Sequence, residues 1–80
     1  IDGVAYTVKS KDEYLPVLFS VKSGKVGREE ISRLWGTVER EKAAAGILIT
    51  LENPTKPMIA EAKAAGQFKT DFASFDRLQI

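Results

Sequence analysis

The chain contains no cysteine and no histidine, which removes thiolate chemistry, most zinc sites and the histidine-based triads. Any chemistry must therefore be assembled from carboxylates, lysine and hydroxyls. Asp2 stands directly before Gly3, and Ser20 and Lys22 lie two residues apart in Phe19-Ser20-Val21-Lys22. Side chains of a strand alternate, so positions 20 and 22 of a strand face the same side. Lys22, Lys25, Arg28 and Arg33 then gather four cations around Gly24 and Gly27. Glycines ahead of a helix let backbone N–H groups approach a phosphate, and Lys and Arg contacts to phosphate give affinity without reading sequence. Glu29 and Glu30 in the same turn oppose an anion there. Each residue also has a plainer reading. An Asp before Gly is commonly a turn residue, a Lys at a strand end is commonly a solvated charge, and Glu39 and Arg40 read as members of a solvated helical face.

These groups need a scaffold, and the hydrophobic pattern supplies one. Gly3 to Lys9 and Leu15 to Val21 have the alternation and β-branched content of strands, with Ser10-Lys11-Asp12-Glu13 as the turn between them. Pro16 cannot donate to a ladder and belongs at the start of the second strand or beside an edge. Ile31, Leu34, Trp35 and Val38 recur at the spacing of one helical face, predicting a helix over Arg28 to Ala44 with Trp35 in the core and Gly46 as its stop. Gly46 to Leu51 is a continuous apolar run, as in a strand buried on both faces. Strand, helix, strand in that order favours a right-handed parallel crossover. Thr55 is placed to cap a second helix that tolerates Pro57 in its first turn, carries Met58, Ala62 and Ala65 as a thin apolar stripe and ends at Gly66. Phe68, Phe72 and Phe75 fall in a loop leading to Arg77-Leu78-Gln79-Ile80, a candidate closing strand.

Eighty residues, 44% hydrophobic and 29% charged, suit one small domain with a modest core. Twelve Lys and Arg against eleven Asp and Glu leave a net charge of +1, so an anion-binding surface must come from local clustering. No apolar run approaches the roughly 20 residues that span a bilayer, and no leader pattern opens the chain; no membrane partner and a cytoplasmic location are the expectation.

Taken together, Ile1-Asp2-Gly3, Ser20-Val21-Lys22 and the helix after Gly24-Lys25-Val26-Gly27 resemble the Mrr-type branch of the PD-(D/E)XK restriction-endonuclease-like proteins. In that family an Asp starts one strand, and an acidic residue or Gln sits two before a Lys on the next. The stretches from Gly36 to Ala43 and from Ile49 to Met58 resemble a segment at the C-terminal end of bacterial adenine-specific DNA methyltransferases. The likeness covers nearly the whole chain and implies an α/β (α+β) mixed sheet, built as a β-hairpin followed by helix, strand and helix. The family's chain opens with a helix and a strand ahead of the Asp, whereas only Ile1 precedes Asp2, so residues 1–80 are expected to be a single, partial domain lacking its N-terminal elements.

The resemblance also implies a function: a DNA-binding, nuclease-like domain of a restriction-modification or DNA methyltransferase protein, with double-stranded DNA as partner, a methyltransferase domain in the same protein and self-association left open. Asp2, Ser20 and Lys22 would hold the catalytic positions. Asp2 and the carbonyl of Val21 would ligate Mg²⁺, and Lys22, Lys25, Arg28 and Arg33 would contact DNA. Ser20 departs from the family pattern of Glu, Asp or Gln, and a neutral hydroxyl is a poorer Mg²⁺ ligand than a carboxylate; Glu30 or Glu39 on the helix could compensate. Two nucleic-acid readings follow, a metal-dependent endonuclease and an inactive module that positions DNA, beside a third in which a small α/β interaction domain has no nucleic-acid role.

Overall fold

The hairpin forms where alternation is strongest: β1 spans Gly3–Ser10 and β2 spans Glu13–Lys22, joined through Lys11 and Asp12. In the computed structural model, which describes residues 1–80, the two pair antiparallel from Gly3 opposite Phe19 to Ser10 opposite Glu13, with an irregularity between Val8 and Ser10. Pro16 sits in β2 opposite Tyr6, just before the parallel ladder with β3 (Ala45–Thr50) begins at Val17 and Ala45. Its missing N–H therefore falls where β2 has a strand on one side only.

Between β2 and β3 runs α1 (Arg28–Arg40), and after β3 comes α2 (Lys56–Ala64). The chain closes with β4 (Gln67–Lys69), β5 (Ser74–Asp76) and β6 (Leu78–Gln79). The main sheet has the order β1-β2-β3-β6, with β6 parallel to β3, while β4 and β5 form a separate antiparallel pair. This is the mixed α/β sheet that the hydrophobic pattern predicts.

Both helices lie on one face of the sheet. Ile31, Leu34 and Val38 of α1 and Met58 and Ala62 of α2 meet Leu18, Leu48 and Leu78 in one buried cluster. Thr55 caps α2 by accepting the Met58 N–H at 3.3 Å, and Gly66 ends it with φ +79°. Several expectations are corrected. Helix α1 stops at Arg40 rather than Ala44, because Lys42 takes the left-handed turn at φ 55° and the following alanines are drawn toward the sheet. Strand β3 is buried on both faces only at its start: Ala45 and Leu48 are buried, while Ile49, on the same side as Ala45, is 47% exposed. By alternation Ile49 shares its face with Leu15, Val17, Phe19 and Val21 of β2, and Val21, its partner in the ladder, is also exposed, at 52%. Trp35 is half-buried against the core rather than within it, with the Arg77 guanidinium 4.9 Å above its ring.

Gly46 is not a helix stop but lies inside β3 under α1. A Cβ at this position would stand 2.7 Å from Val38 Cγ2 and 3.0 Å from Leu34 Cγ. Gly46→Ala is expected to destabilise the fold by about 1–3 kcal/mol through overpacking, read as a lowered urea midpoint. An unchanged midpoint would show that α1 can lift without cost.

Candidate functional site

The C-terminal end of β2 and the first half of α1 enclose the site. Ser20 and Lys22 follow the buried Leu18 on the helix-covered face, and α1 lies over them because Leu34 and Val38 are seated on Gly46. Together with Glu30, Arg33, Leu34, Thr37 and Ile1, Ser20 and Lys22 line a cleft of about 110 Å³. The strand alternation thus brings two of the three catalytic candidates to one cleft, and helix periodicity adds Arg33.

Asp2 is close in the sheet but differently occupied. Its carboxylate accepts the Val21 N–H at 2.7 Å, and its own N–H donates to the Phe19 carbonyl at 2.8 Å. Asp2 thereby stitches the start of β1 to the end of β2. Val21 pairs with Ile49 in the parallel ladder and turns its half-exposed side chain to the same face as Ile49.

Glu30 is the other carboxylate at the cleft, and it too is engaged by the backbone. Its Oε2 accepts the N–H of Gly27, the residue that caps α1, at 2.8 Å. That bond, then one to its own backbone N–H, holds the Glu30 carboxyl below its ordinary range, with smaller contributions from Arg33 and Lys22. Glu39 is exposed and is not part of the cleft.

The four cations part company. Lys22 and Arg33 face the cleft, and neither lies within ion-pair distance of a carboxylate; the chain's two ion pairs are Lys9 with Glu13 and Arg28 with Glu61. Arg28 reaches across to α2, where Glu61 also accepts the Ser32 hydroxyl at 3.0 Å. Lys25 is exposed on the connecting loop. The inter-helix clasp from Arg28 and Ser32 to Glu61 carries no periodicity signal, since its partners are 33 and 29 residues apart.

The oxygen ligands near Ser20 are few. Mg²⁺ takes octahedral oxygen ligation, usually through one or two carboxylates and several waters; Ser20 is neutral, one oxygen of Asp2 accepts the Val21 N–H, and one oxygen of Glu30 accepts the Gly27 N–H. No group of three or more His, Cys, Asp or Glu residues comes together anywhere in the chain. What the cleft offers is two cationic donors and a hydroxyl. No helix is long and apolar enough to cross a membrane.

A protein-family model described as NA-iREase1, NACHT-associated inactive Restriction Endonuclease 1, matches residues 1–79. The chain belongs to this restriction-endonuclease-like family. No curated protein and no solved structure matches it.

The two engaged glutamates make stability depend on acid. Glu61 is also held below the ordinary glutamate value of 4.5, by the Arg28 and then the Ser32 hydrogen bond. A carboxyl with a depressed folded pKa stabilises above its unfolded value and loses that contribution as pH falls through the folded one. The urea midpoint is therefore expected to drop as pH is lowered from about 5 through 4 and below, and Glu30→Gln and Glu61→Gln should each flatten this acid limb. Identical acid limbs in the double variant and the parent would show that these bonds do not hold in solution.

Proposed function

We propose that this member of an inactive restriction-endonuclease family is a DNA-positioning module that grips duplex backbone without cutting it. One observation supports the reading above all: the carboxylates beside Ser20 and Lys22 are engaged by backbone N–H groups, while Lys22 and Arg33 face the cleft and form no ion pair. Phosphodiester hydrolysis needs a hard cation, an activated water and stabilisation of developing charge. Of these, Lys22 and Arg33 supply only the last. Positive side chains without a metal can still hold a phosphate, and such contacts orient a duplex without reading its sequence.

An Mrr-type parent accounts for the spacing of Asp2, Ser20 and Lys22. For the attached protein, the family description favours a NACHT association, and we prefer this to the adenine-specific methyltransferase implied by the stretches from Gly36 to Ala43 and from Ile49 to Met58. On either arrangement the module contributes location and the attached domain contributes activity.

The expected outcome is weak, salt-sensitive binding of duplex DNA with little sequence preference, and no nicking of supercoiled plasmid with Mg²⁺ or Mn²⁺. Gel shifts at two salt concentrations and a plasmid-nicking assay measure both. Robust metal-dependent nicking would overturn the inactive reading, and absence of any shift at low salt would overturn the DNA partner.

A further inference from the structure

We propose that β4 and β5 form a flap, residues 67–76, that is latched by Arg77 and opens locally in the folded protein, controlling access to an apolar groove against β1.

The flap is complete in itself and takes no part in the core. Its strands pair antiparallel from Gln67 opposite Asp76 to Lys69 opposite Ser74. The Gln67 amide donates to the Asp76 carboxylate at 3.1 Å, and the Phe68 and Phe75 rings stack at 5.9 Å. At the tip the Thr70 hydroxyl donates to the Ala73 carbonyl at 3.2 Å and accepts the N–H groups of Phe72 and Ala73 at 3.1 and 3.0 Å. Yet no residue from Gln67 to Asp76 is buried, and none belongs to the cluster between the helices and the main sheet. An element that satisfies its own hydrogen bonds and lends no side chain to the core can lift without exposing that core. This is the condition for local opening at less free energy than global unfolding requires.

The base of the flap is fixed. The Arg77 N–H donates to the Gly66 carbonyl at 3.0 Å, closing the loop of residues 67–76, and the Arg77 carbonyl accepts the Gly46 N–H at 2.8 Å, tying that closure to β3. Gly66 stands at φ +79°, a region that glycine enters without strain, and supplies the pivot. The flap can therefore swing while α2 and β6 stay in place.

Two contacts beyond the base hold it down. The Arg77 guanidinium, anchored by the carbonyls of Ala43 and Ala44, lies 4.9 Å from the Trp35 ring centre and 5.8 Å from that of Phe68. The Asp71 N–H donates to the carbonyl of Lys9 at 2.9 Å, at the irregularity between β1 and β2. Between flap and strand lies a groove of about 610 Å³, with Tyr6 and Val8 on one wall and Phe72 and Phe75 on the other. No charged side chain lines it, and its second wall belongs wholly to the flap. The width of the groove thus follows the position of the flap, and the two latches set how often it opens.

Amide hydrogen exchange of the folded protein, resolved by residue across low urea concentrations, tests the flap. The Asp71 amide reports the latch to Lys9 directly. Amides within the β4-β5 pair follow it, because an isolated two-stranded pair is marginally stable in water once lifted. These amides are expected to exchange faster than those of β2 and β3, by on the order of tenfold or more, and at rates that hardly change with urea, since local opening exposes little surface. Phe68→Ala removes one ring from Arg77 and leaves its bonds to Ala43 and Ala44. It should speed exchange in the flap by about two- to thirtyfold, the span of one cation–π contact, and leave β2 and β3 unchanged. Should Phe68→Ala fail to fold, Phe68→Leu keeps apolar bulk without the ring face and should act in the same direction. Flap amides that exchange no faster than those of β2 and β3, or that quicken with urea only in step with them, would overturn the flap. Equal acceleration of every strand in the folded Phe68 variant would overturn the latch, as would flap exchange in the unmodified protein at the rate of an unstructured chain.

Discussion

The separation between α1 and the sheet is set at Gly46, where a Cβ would meet Val38 and Leu34 at 2.7 and 3.0 Å. A helix usually packs against neighbouring elements at a distance set by the side chains at the contact. Here one partner has none, so α1 settles deeper at that point, and Ile31, Leu34 and Val38 become fully or almost fully buried. The position of Arg33 and Glu30 over Ser20 and Lys22 follows from this seating, since residues three and four apart on a helix share its geometry. The cleft is as much a consequence of packing beneath the helix as of the polar residues that line it.

The other end of the domain is organised by Arg77. Its guanidinium donates to the carbonyls of Ala43 and Ala44 at 3.1 and 3.3 Å and lies over both Trp35 and Phe68. Its backbone N–H reaches Gly66, and its carbonyl accepts the Gly46 N–H. One residue thus joins α1, the start of β3, the turn after α2 and the β4-β5 pair, and it satisfies two carbonyls of the linker between α1 and β3. The half-burial of Trp35 follows, because a cation covers the ring where an apolar layer would otherwise lie.

This division explains what the sequence disclosed. The hairpin, α1, β3 and α2 are legible because their periodicities change at glycines or at Thr55, signals confined to a few neighbouring residues. The end of α1 was not: Ala43-Ala44-Ala45 has high helix propensity, and the turn is made by Lys42 in a conformation usually left to Gly or Asn. The β4-β5 pair has the sequence of a loop, although Gln67-Phe68-Lys69 and Ser74-Phe75-Asp76 alternate and their rings stack at 5.9 Å, because three-residue strands fall below the length at which alternation is informative. Within the site, Ser20, Lys22 and Arg33 were legible by spacing. The engagement of Arg28 with Glu61, and of Asp2 and Glu30 with backbone N–H groups, was not, since hydrogen bonds leave no periodic trace.

That last point bears on what a retained carboxylate means. Asp2 and Glu30 stand where a metal-dependent nuclease would want acidic groups, and from sequence alone either can be taken for a remnant of catalysis. Each also satisfies a backbone donor at an element boundary, Val21 at the end of β2 and Gly27 at the cap of α1, and an orphaned donor costs free energy wherever water cannot replace the bond. Both carboxylates thus have a role in the fold that is independent of any chemistry. Ser20 carries no comparable structural duty, since its side chain makes no hydrogen bond within the protein. Replacing a carboxylate there by a hydroxyl both weakens the hold on a dication and removes the repulsion that a phosphate would meet beside Lys22 and Arg33. On the DNA-positioning proposal, absence of cutting and direct contact with the DNA backbone would both follow from a neutral residue at position 20.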